Sequence, residues 1–305
     1  MKVARALDEA VSRLSRARID EPRLEAEILL ARLLDRERLW LYVHRDADLD
    51  DATIIPFKTL IERKARNEPT AYIVGQREFW SLSFVVSPDT LIPRPETEML
   101  VEIGLELAKK ERWTRPHILD LGTGSGVLAV CLACEIKDAL IVAVERSQEA
   151  LTVARENARR HRVESRIHFL RSDWLAALRP NRRTASAAAR GDSSASATGF
   201  DLVVANPPYV ARRAQHLLPE EVLNFEPEEA LFSGADGMDA IRTITRQAPN
   251  VLRRRGWLVC EIGWDQGRRA EHVAKDTQKF EEVKIRKDLS GNDRVLVART
   301  TSELT

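Results

Sequence analysis

Residues 117–145 read HILDLGTGSGVLAVCLACEIKDALIVAVE. An apolar run, Ile118 to Leu121, stops at a glycine-rich turn, Gly122-Thr123-Gly124-Ser125-Gly126. A helix follows over Val127–Ile136, and a second apolar run ends on Glu145. Strand, glycine turn, helix and strand together make the unit of a parallel sheet covered by helices. Downstream the alternation continues, with a helix from Gln148 to His161, a strand at 166–173 (RIHFLRSD) and another at 200–209 (FDLVVANPPY) that runs into a loop. Later strands are expected at 256–263 (GWLVCEIG), 283–289 (VKIRKDL) and 294–300 (RVLVART). Only Ser290 to Asp293 separates the last two, too short for a parallel crossover, so they are expected to pair antiparallel. The fold class is therefore α/β, with a mostly parallel sheet and an antiparallel last strand.

Upstream of this core the first 80 residues differ, with a single glycine, Gly75, and many Leu, Ala, Arg and Glu. Leu7, Ala10, Val11 and Leu14 recur at helical spacing, as do Leu24, Glu27, Ile28 and Ala31, with an acid interrupting the second stripe. Asp20 before Glu21-Pro22 reads as a helix N-cap, and Asp51 to Asn67 as a further helix ended by Pro69. A small helical bundle is expected over 1–78, and its 15 basic and 15 acidic residues within 1–80 make it a poor nonspecific nucleic-acid arm. Residues 79–92 (FWSLSFVVSPDTLI) suggest a hairpin linking the bundle to a larger domain, 93–305. Pro93 and Pro95 favour extended backbone before a helix from Glu96 to Lys110. Residues 179–199 hold ten Ala or Ser and are expected to form a flexible insertion with no catalytic part.

Over its 305 residues the chain carries 48 basic and 47 acidic side chains, which excludes a strongly basic nucleic-acid coat. Three cysteines exclude a disulfide scaffold and point to a reducing compartment, the cytoplasm. No apolar run is long enough to span a membrane, and the six histidines are scattered without metal-ligand spacing. Cys131 and Cys134, three apart in one helix, are expected to be packed in the interior.

Four features carry chemistry. The spacing of Gly122, Gly124 and Gly126 is G-x-G-x-G, neither the dinucleotide fingerprint nor a phosphate-cradling loop, though it lets a ligand approach the backbone. Glu145, at the end of the next strand, suits the hydroxyls of a nucleoside ribose; it also suits the first turn of the helix that follows. Asp173 and Trp174 stand after the third strand, where Asp173 can serve an adenine amino group or simply a turn, and Trp174 can cover a ring. Asn206-Pro207-Pro208-Tyr209 is the sharpest signal. Its prolines remove two N–H donors and stiffen the loop. The Asn206 side-chain oxygen and the Pro207 carbonyl then make two acceptors at fixed separation, matched to an NH₂ group. Tyr209 offers a face on which a planar amide or base stacks.

Together these features resemble S-adenosylmethionine-dependent amino-methyltransferases. Longer strings narrow the resemblance: PTAYIVGQREFWSLSFVVSPDTLIPRPETEMLVE (69–102), LLPEEVLNFEPEEALFSGADGMDAIRTI (217–244), EIGWDQG (261–267) and KDLSGNDRVLVAR (287–299). These are similar to the HemK/PrmC family of protein-(glutamine-N5) methyltransferases, which act on the Gly-Gly-Gln glutamine of peptide chain release factors. The resemblance implies a Rossmann-like class I methyltransferase sheet with a small N-terminal helical bundle that recognises the protein substrate. It implies that Gly122, Thr123, Gly124, Ser125 and Gly126 hold the methionine part of S-adenosylmethionine, that Glu145 holds the ribose, and that Asp173 and Trp174 flank the adenine. Asn206, Pro207, Pro208 and Tyr209 would grip the glutamine, with Asn206, Pro207 and Tyr209 catalytic and Asn206 also touching the cofactor. S-adenosylhomocysteine would be the product, and a monomer without nucleic-acid or membrane partners is expected. The chain departs from the family where Glu145 replaces a frequent Asp, where Arg255 precedes Gly256 in place of a second glycine, and in the length of the 179–199 segment. Methylation of a ribosomal-protein glutamine and adenine-N6 methylation of DNA remain alternatives on sequence grounds. The second would want a basic cleft and a target-recognition domain.

Overall fold

The computed structural model describes residues 1–178 and 199–302 and divides into two compact units. The expectation of a flexible insertion at 179–199 falls, Gly199 apart, outside the described residues. Among the described residues no helix is long and apolar enough to cross a membrane.

Residues 1–76, 86–88 and 218–226 form the first unit. Its helices are α1 (Val3–Arg16), α2 (Pro22–Leu33), α3 (Arg38–Val43), α4 (Asp51–Ala65) and α5 (Thr70–Val74). Val3, Leu7, Leu14, Leu29, Leu30, Leu41, Phe57 and Ile61 make the common core. In α2 the buried face runs through Ala26, Leu29 and Leu30, one step round from the stripe read in the sequence. Glu27 lies in that face, 2% exposed, and is neutralised where it sits: Arg23 and Arg38 lie 3.2 and 3.0 Å from its carboxylate, and Tyr42 donates to it at 2.8 Å. The N-cap of α2 is Glu21, not Asp20. Its backbone is left-handed (φ 47°), and Pro22 occupies the first helical position.

The second unit comprises residues 77–85, 89–217 and 227–305. It opens with a hairpin, β1 (Gln76–Phe79) and β2 (Leu82–Val85), earlier than the expected 79–92. The two-residue turn is Trp80-Ser81, both at positive φ (53° and 55°), a conformation normally signalled by Asn-Gly. The expected helix from Glu96 begins as a 3₁₀ turn, Pro95–Thr97, and becomes α6 at Glu98–Lys110.

The remaining elements follow in chain order. They are β3 (His117–Leu121), α7 (Val127–Glu135), β4 (Leu140–Glu145), α8 (Gln148–Arg160), β5 (Ile167–Arg171) and β6 (Phe200–Ala205). After them come α9 (Glu220–Phe225, in the first unit), α10 (Glu228–Leu231), α11 (Asp239–Gln247), β7 (Leu252–Glu261), α12 (Gly267–Asp276), β8 (Phe280–Lys287) and β9 (Asp293–Thr300).

Seven strands form one sheet in the order β5-β4-β3-β6-β7-β9-β8. All pairs from β5 to β7 are parallel, and β9 runs antiparallel to both its neighbours. Alternation assigns the two faces. Ile118, Ile141, Leu202, Val204, Trp257, Val259, Val295 and Val297 pack with α6, α7 and the hairpin aromatics Phe79 and Phe84. Leu119, Leu121, Val203, Leu258, Cys260 and Leu296 pack with α11 and α12. Cys131 is buried as expected, but Cys134 is exposed, because it lies in the last turn of α7 beyond the sheet contact.

Candidate active site

The chain runs outward from β3 through β4 to β5, then returns to β6 on the other side of β3. Such a reversal opens a crevice at the carboxyl ends of the strands. The glycine turn leaves β3 there, and Asn206-Pro207-Pro208-Tyr209 leaves β6. Leu121 and Ala205 are paired, so both loops start at the same height.

Side-chain parity brings the polar groups to one face. Asp120, Glu145 and Glu261 share the parity of Ile118, Ile141 and Val259, and Asn206 continues that of Leu202 and Val204. Ala205 pairs with Cys260, which sets Asn206 level with Glu261.

On the β3 side, Gly122, Gly124 and Gly126 have φ of 70°, 54° and 84°. A Cβ at Gly126 would meet Ala154 of α8 at 3.1 Å, so glycine there lets the loop lie on the helix. At Gly124 a Cβ would meet nothing within 4 Å, and the ring of Trp174 lies against Gly122. Glu145 accepts from Gly124 N at 3.1 Å through one oxygen, and from Arg146 N and Ser147 N at 2.7 and 3.1 Å through the other. The helix-start reading of this residue is met, and the same carboxylate also braces the glycine loop. Three of its roughly four acceptor positions are used, and one remains on Oε2. Asp173 is exposed beside the half-buried Trp174.

Asp120, at the end of β3, was not singled out by sequence. It is fully buried and accepts from Thr123 Oγ1 at 2.5 Å and Ala129 N at 3.2 Å through Oδ2, while Oδ1 is buried without a partner among the described residues. Burial pushes its carboxyl up to about 7, against the pull of these two hydrogen bonds. Asn157 of α8, also buried, donates to Ser125 O at 2.8 Å and to Val85 O at 2.9 Å, and accepts from Val85 N at 2.7 Å. One side chain so ties the glycine loop to the hairpin.

On the β6 side, Asn206 Nδ2 donates to Thr97 Oγ1 at 3.0 Å. Thr97 donates onward to Glu261 Oε2 at 2.8 Å, and the Tyr209 hydroxyl donates to Glu261 Oε1 at 3.1 Å. Thr97 and Glu261 are buried at 1% and 0% exposure. Burial pushes the Glu261 carboxyl up to about 7; Thr97, Tyr209 and the nearby positive charge of Arg294 pull the other way, and Glu96 adds to the rise. Burial and the Glu261 charge also drive the Tyr209 phenol upward, so it stays protonated. Gln266 closes the loop from behind, donating to Tyr209 O at 2.8 Å and Gly237 O at 3.2 Å while accepting from Gly263 N at 2.8 Å. Thr97 and Gln266 lie in strings quoted above for their resemblance, but nothing in their spacing marks them as site residues.

A parallel sheet reversing between a glycine loop and an Asn-Pro-Pro-Tyr loop defines a class I methyltransferase. The comparisons agree on the fold: the hMettl16 catalytic domain in complex with MAT2A 3'UTR hairpin 6 superposes with a TM-score of 0.53 at 14% identity, over 84% of this chain and 83% of that one. The PrmC N-terminal domain model matches residues 5–75, and the methyltransferase small domain model matches 96–235. The release factor glutamine methyltransferase of Xylella fastidiosa strain 9a5c is 42% identical over 91% of this chain and 93% of its own length. That of Moorella thermoacetica is 38% identical over 99% of this chain and 100% of its own. The chain belongs to the release factor glutamine methyltransferase family.

Proposed function

We propose that this protein transfers a methyl group from S-adenosylmethionine to the side-chain nitrogen of the Gly-Gly-Gln glutamine in peptide chain release factors. The observation that carries this reading is the commitment of Asn206 Nδ2 to Thr97, which leaves Oδ1 as an acceptor at the residue before Pro207. With the Pro207 carbonyl it makes two acceptors in a string whose prolines carry no N–H, which suits an NH₂ group.

The residues after β3, β4 and β5 fit the methyl donor. Support comes from the open space at Gly124, the Trp174 ring over Gly122, the remaining acceptor on Glu145 and the orphaned Asp120 oxygen. Gly122 to Gly126 would hold its amino-acid part, Glu145 the ribose, and Asp173 with Trp174 the adenine. When bound, the donor supplies an activated methyl on a sulfonium and needs no metal.

An amide nitrogen is a poor nucleophile because its lone pair is shared with the carbonyl. Asn206 Oδ1 and the Pro207 carbonyl accept its two N–H bonds, raise density on nitrogen and offset the positive charge it gains during attack. The same contacts hold the nitrogen in line, where orientation lowers a barrier by up to about 7–11 kcal/mol. Pro208 stiffens the loop and Tyr209 stacks on the amide plane. Tyr209 keeps its proton and serves no basic role. After the C–N bond forms, the excess proton on nitrogen leaves to water.

The helical first unit recognises the protein substrate. A monomer acting in the cytoplasm, where its substrate is, is part of the same proposal. Mass spectrometry of release factor incubated with protein and S-adenosylmethionine tests the reading: one added methyl is expected on the Gly-Gly-Gln glutamine, and none on that residue overturns it. Asn206→Ala is expected to lower kcat about 10²-fold or more, the scale of one lost preorganised contact, with the donor's Kd nearly unchanged by calorimetry.

A further inference from the structure

We propose that Glu261 and Thr97 are positioning residues that set the polarity of Asn206, so that its side chain offers the substrate amide an acceptor and not a donor. The inference rests on the function proposed above and concerns how the site is built.

A primary amide is nearly symmetric in shape, and its oxygen and nitrogen ends exchange places by a half-turn of the side chain. Substrate recognition depends on which end points out, and nothing in Asn206 itself decides this. The chain of hydrogen bonds behind it does. A carboxylate only accepts. The geometry is that of the ionised form, in which Glu261 takes the hydroxyl protons of both Thr97 and Tyr209. Thr97 has a single proton, and it is spent on Glu261. Toward Asn206, Thr97 Oγ1 can only accept, so it takes Nδ2 at 3.0 Å. Oδ1 is left on the outward side. The directionality set at a buried carboxylate thus reaches the substrate through one hydroxyl.

The architecture maintains the relay. Asn206 and Glu261 stand level on adjacent parallel strands with the same parity, and Thr97 is fixed in the 3₁₀ turn that opens α6. A carboxylate buried only to hold Tyr209 would not need the second bond to Thr97, and leaving it there costs the desolvation that raises its affinity for a proton.

Glu261→Gln is the incisive variant. The new side chain keeps one oxygen for two hydroxyl donors, and in the orientation that turns its NH₂ toward Thr97 the Thr97 hydroxyl proton points at Asn206. The amide flips and presents Nδ2, a donor facing donors. Steady-state methylation of intact release factor by the full chain is expected to show kcat reduced about 10²-fold, with KM for release factor and Kd for S-adenosylmethionine within about threefold of wild type. Thr97→Val, of equal shape but without the hydroxyl, is expected to lower kcat by a similar factor, and Thr97→Ser to restore most of it.

A second readout needs no turnover. The ¹H–¹⁵N resonance of the Asn206 side-chain NH₂, assigned by its loss in Asn206→Ala, is expected to move in Thr97→Val and Glu261→Gln and to return in Thr97→Ser. Wild-type kcat in folded Thr97→Val, or an unmoved Asn206 resonance in that variant, overturns the proposal. If wild type fails to methylate release factor, the function reading falls, and the resonance still decides the relay.

Discussion

Glu261 is the side chain on which chemistry and stability pull in opposite directions. Burial holds its carboxyl at about 7 in the folded chain, against an ordinary 4.5. Below about pH 4.5 it is protonated in folded and unfolded chains alike, and its folded form bears no charge to desolvate. Between that pH and about 7 only the folded chain keeps the proton, so stability from this group falls as pH rises through 7. The shift corresponds to on the order of 3 kcal/mol. Glu261→Gln removes the dependence. Urea unfolding from about pH 4.5 to about pH 8 is expected to show the variant gaining on wild type by that order, and a pH-independent difference would show that Glu261 does not titrate there. Asn206 and Tyr209 stood out as candidates in the sequence because two prolines lie between them, and the structure ties both to Glu261, Asn206 through Thr97. Glu261 and Thr97 did not stand out: an acid closing an apolar strand and a threonine after Pro95 are ordinary until the strand order sets them side by side. Parity gave a partial signal, since Asp120, Glu145, Asn206 and Glu261 each end an apolar strand on the same face.

Among the elements, the parallel strands were readable because buried strands are continuous apolar runs bounded by turns. Boundaries failed where backbone conformation was unusual for the residue. The Trp80-Ser81 turn carries no glycine, which displaced the reading of the hairpin, and Glu21 took the place of Asp20 at the start of α2. Arg255 is a third case. It has φ of 58°, in the left-handed region where the family resemblance anticipates glycine, and among the described residues its side chain makes only an exposed 3.7 Å ion pair with Glu281. Such a pair contributes little. Arg255→Gly relieves the steric cost of the left-handed backbone and gives back part of it as unfolded-chain entropy. A net gain of about 0.5–1 kcal/mol in chemical denaturation is expected, and a loss would mean the turn is held by the Arg255 side chain.

For the molecule as a whole, composition set the N-terminal helices apart, but it gave no sign of one piece that packs with them. Residues 218–226 belong with the N-terminal helices although they lie far along the chain. Nothing local marks α9 as a member of that bundle, because its partners are set by packing alone. Removing residues 1–74 is expected to leave S-adenosylmethionine binding intact by calorimetry and to cut methylation of intact release factor at least tenfold, about 1.4 kcal/mol of lost recognition. Undiminished turnover on the intact factor would make the helices dispensable. The same discontinuity has a temporal side. At elongation rates of about 5–20 residues per second, the first helices leave the ribosome on the order of 7–30 s before α9 does. Throughout that interval the nearly buried Lys64 has Glu25 as a counter-ion but not yet Glu221. A nascent chain interrupted before residue 218 therefore carries an unfinished first unit as well as an unfinished sheet.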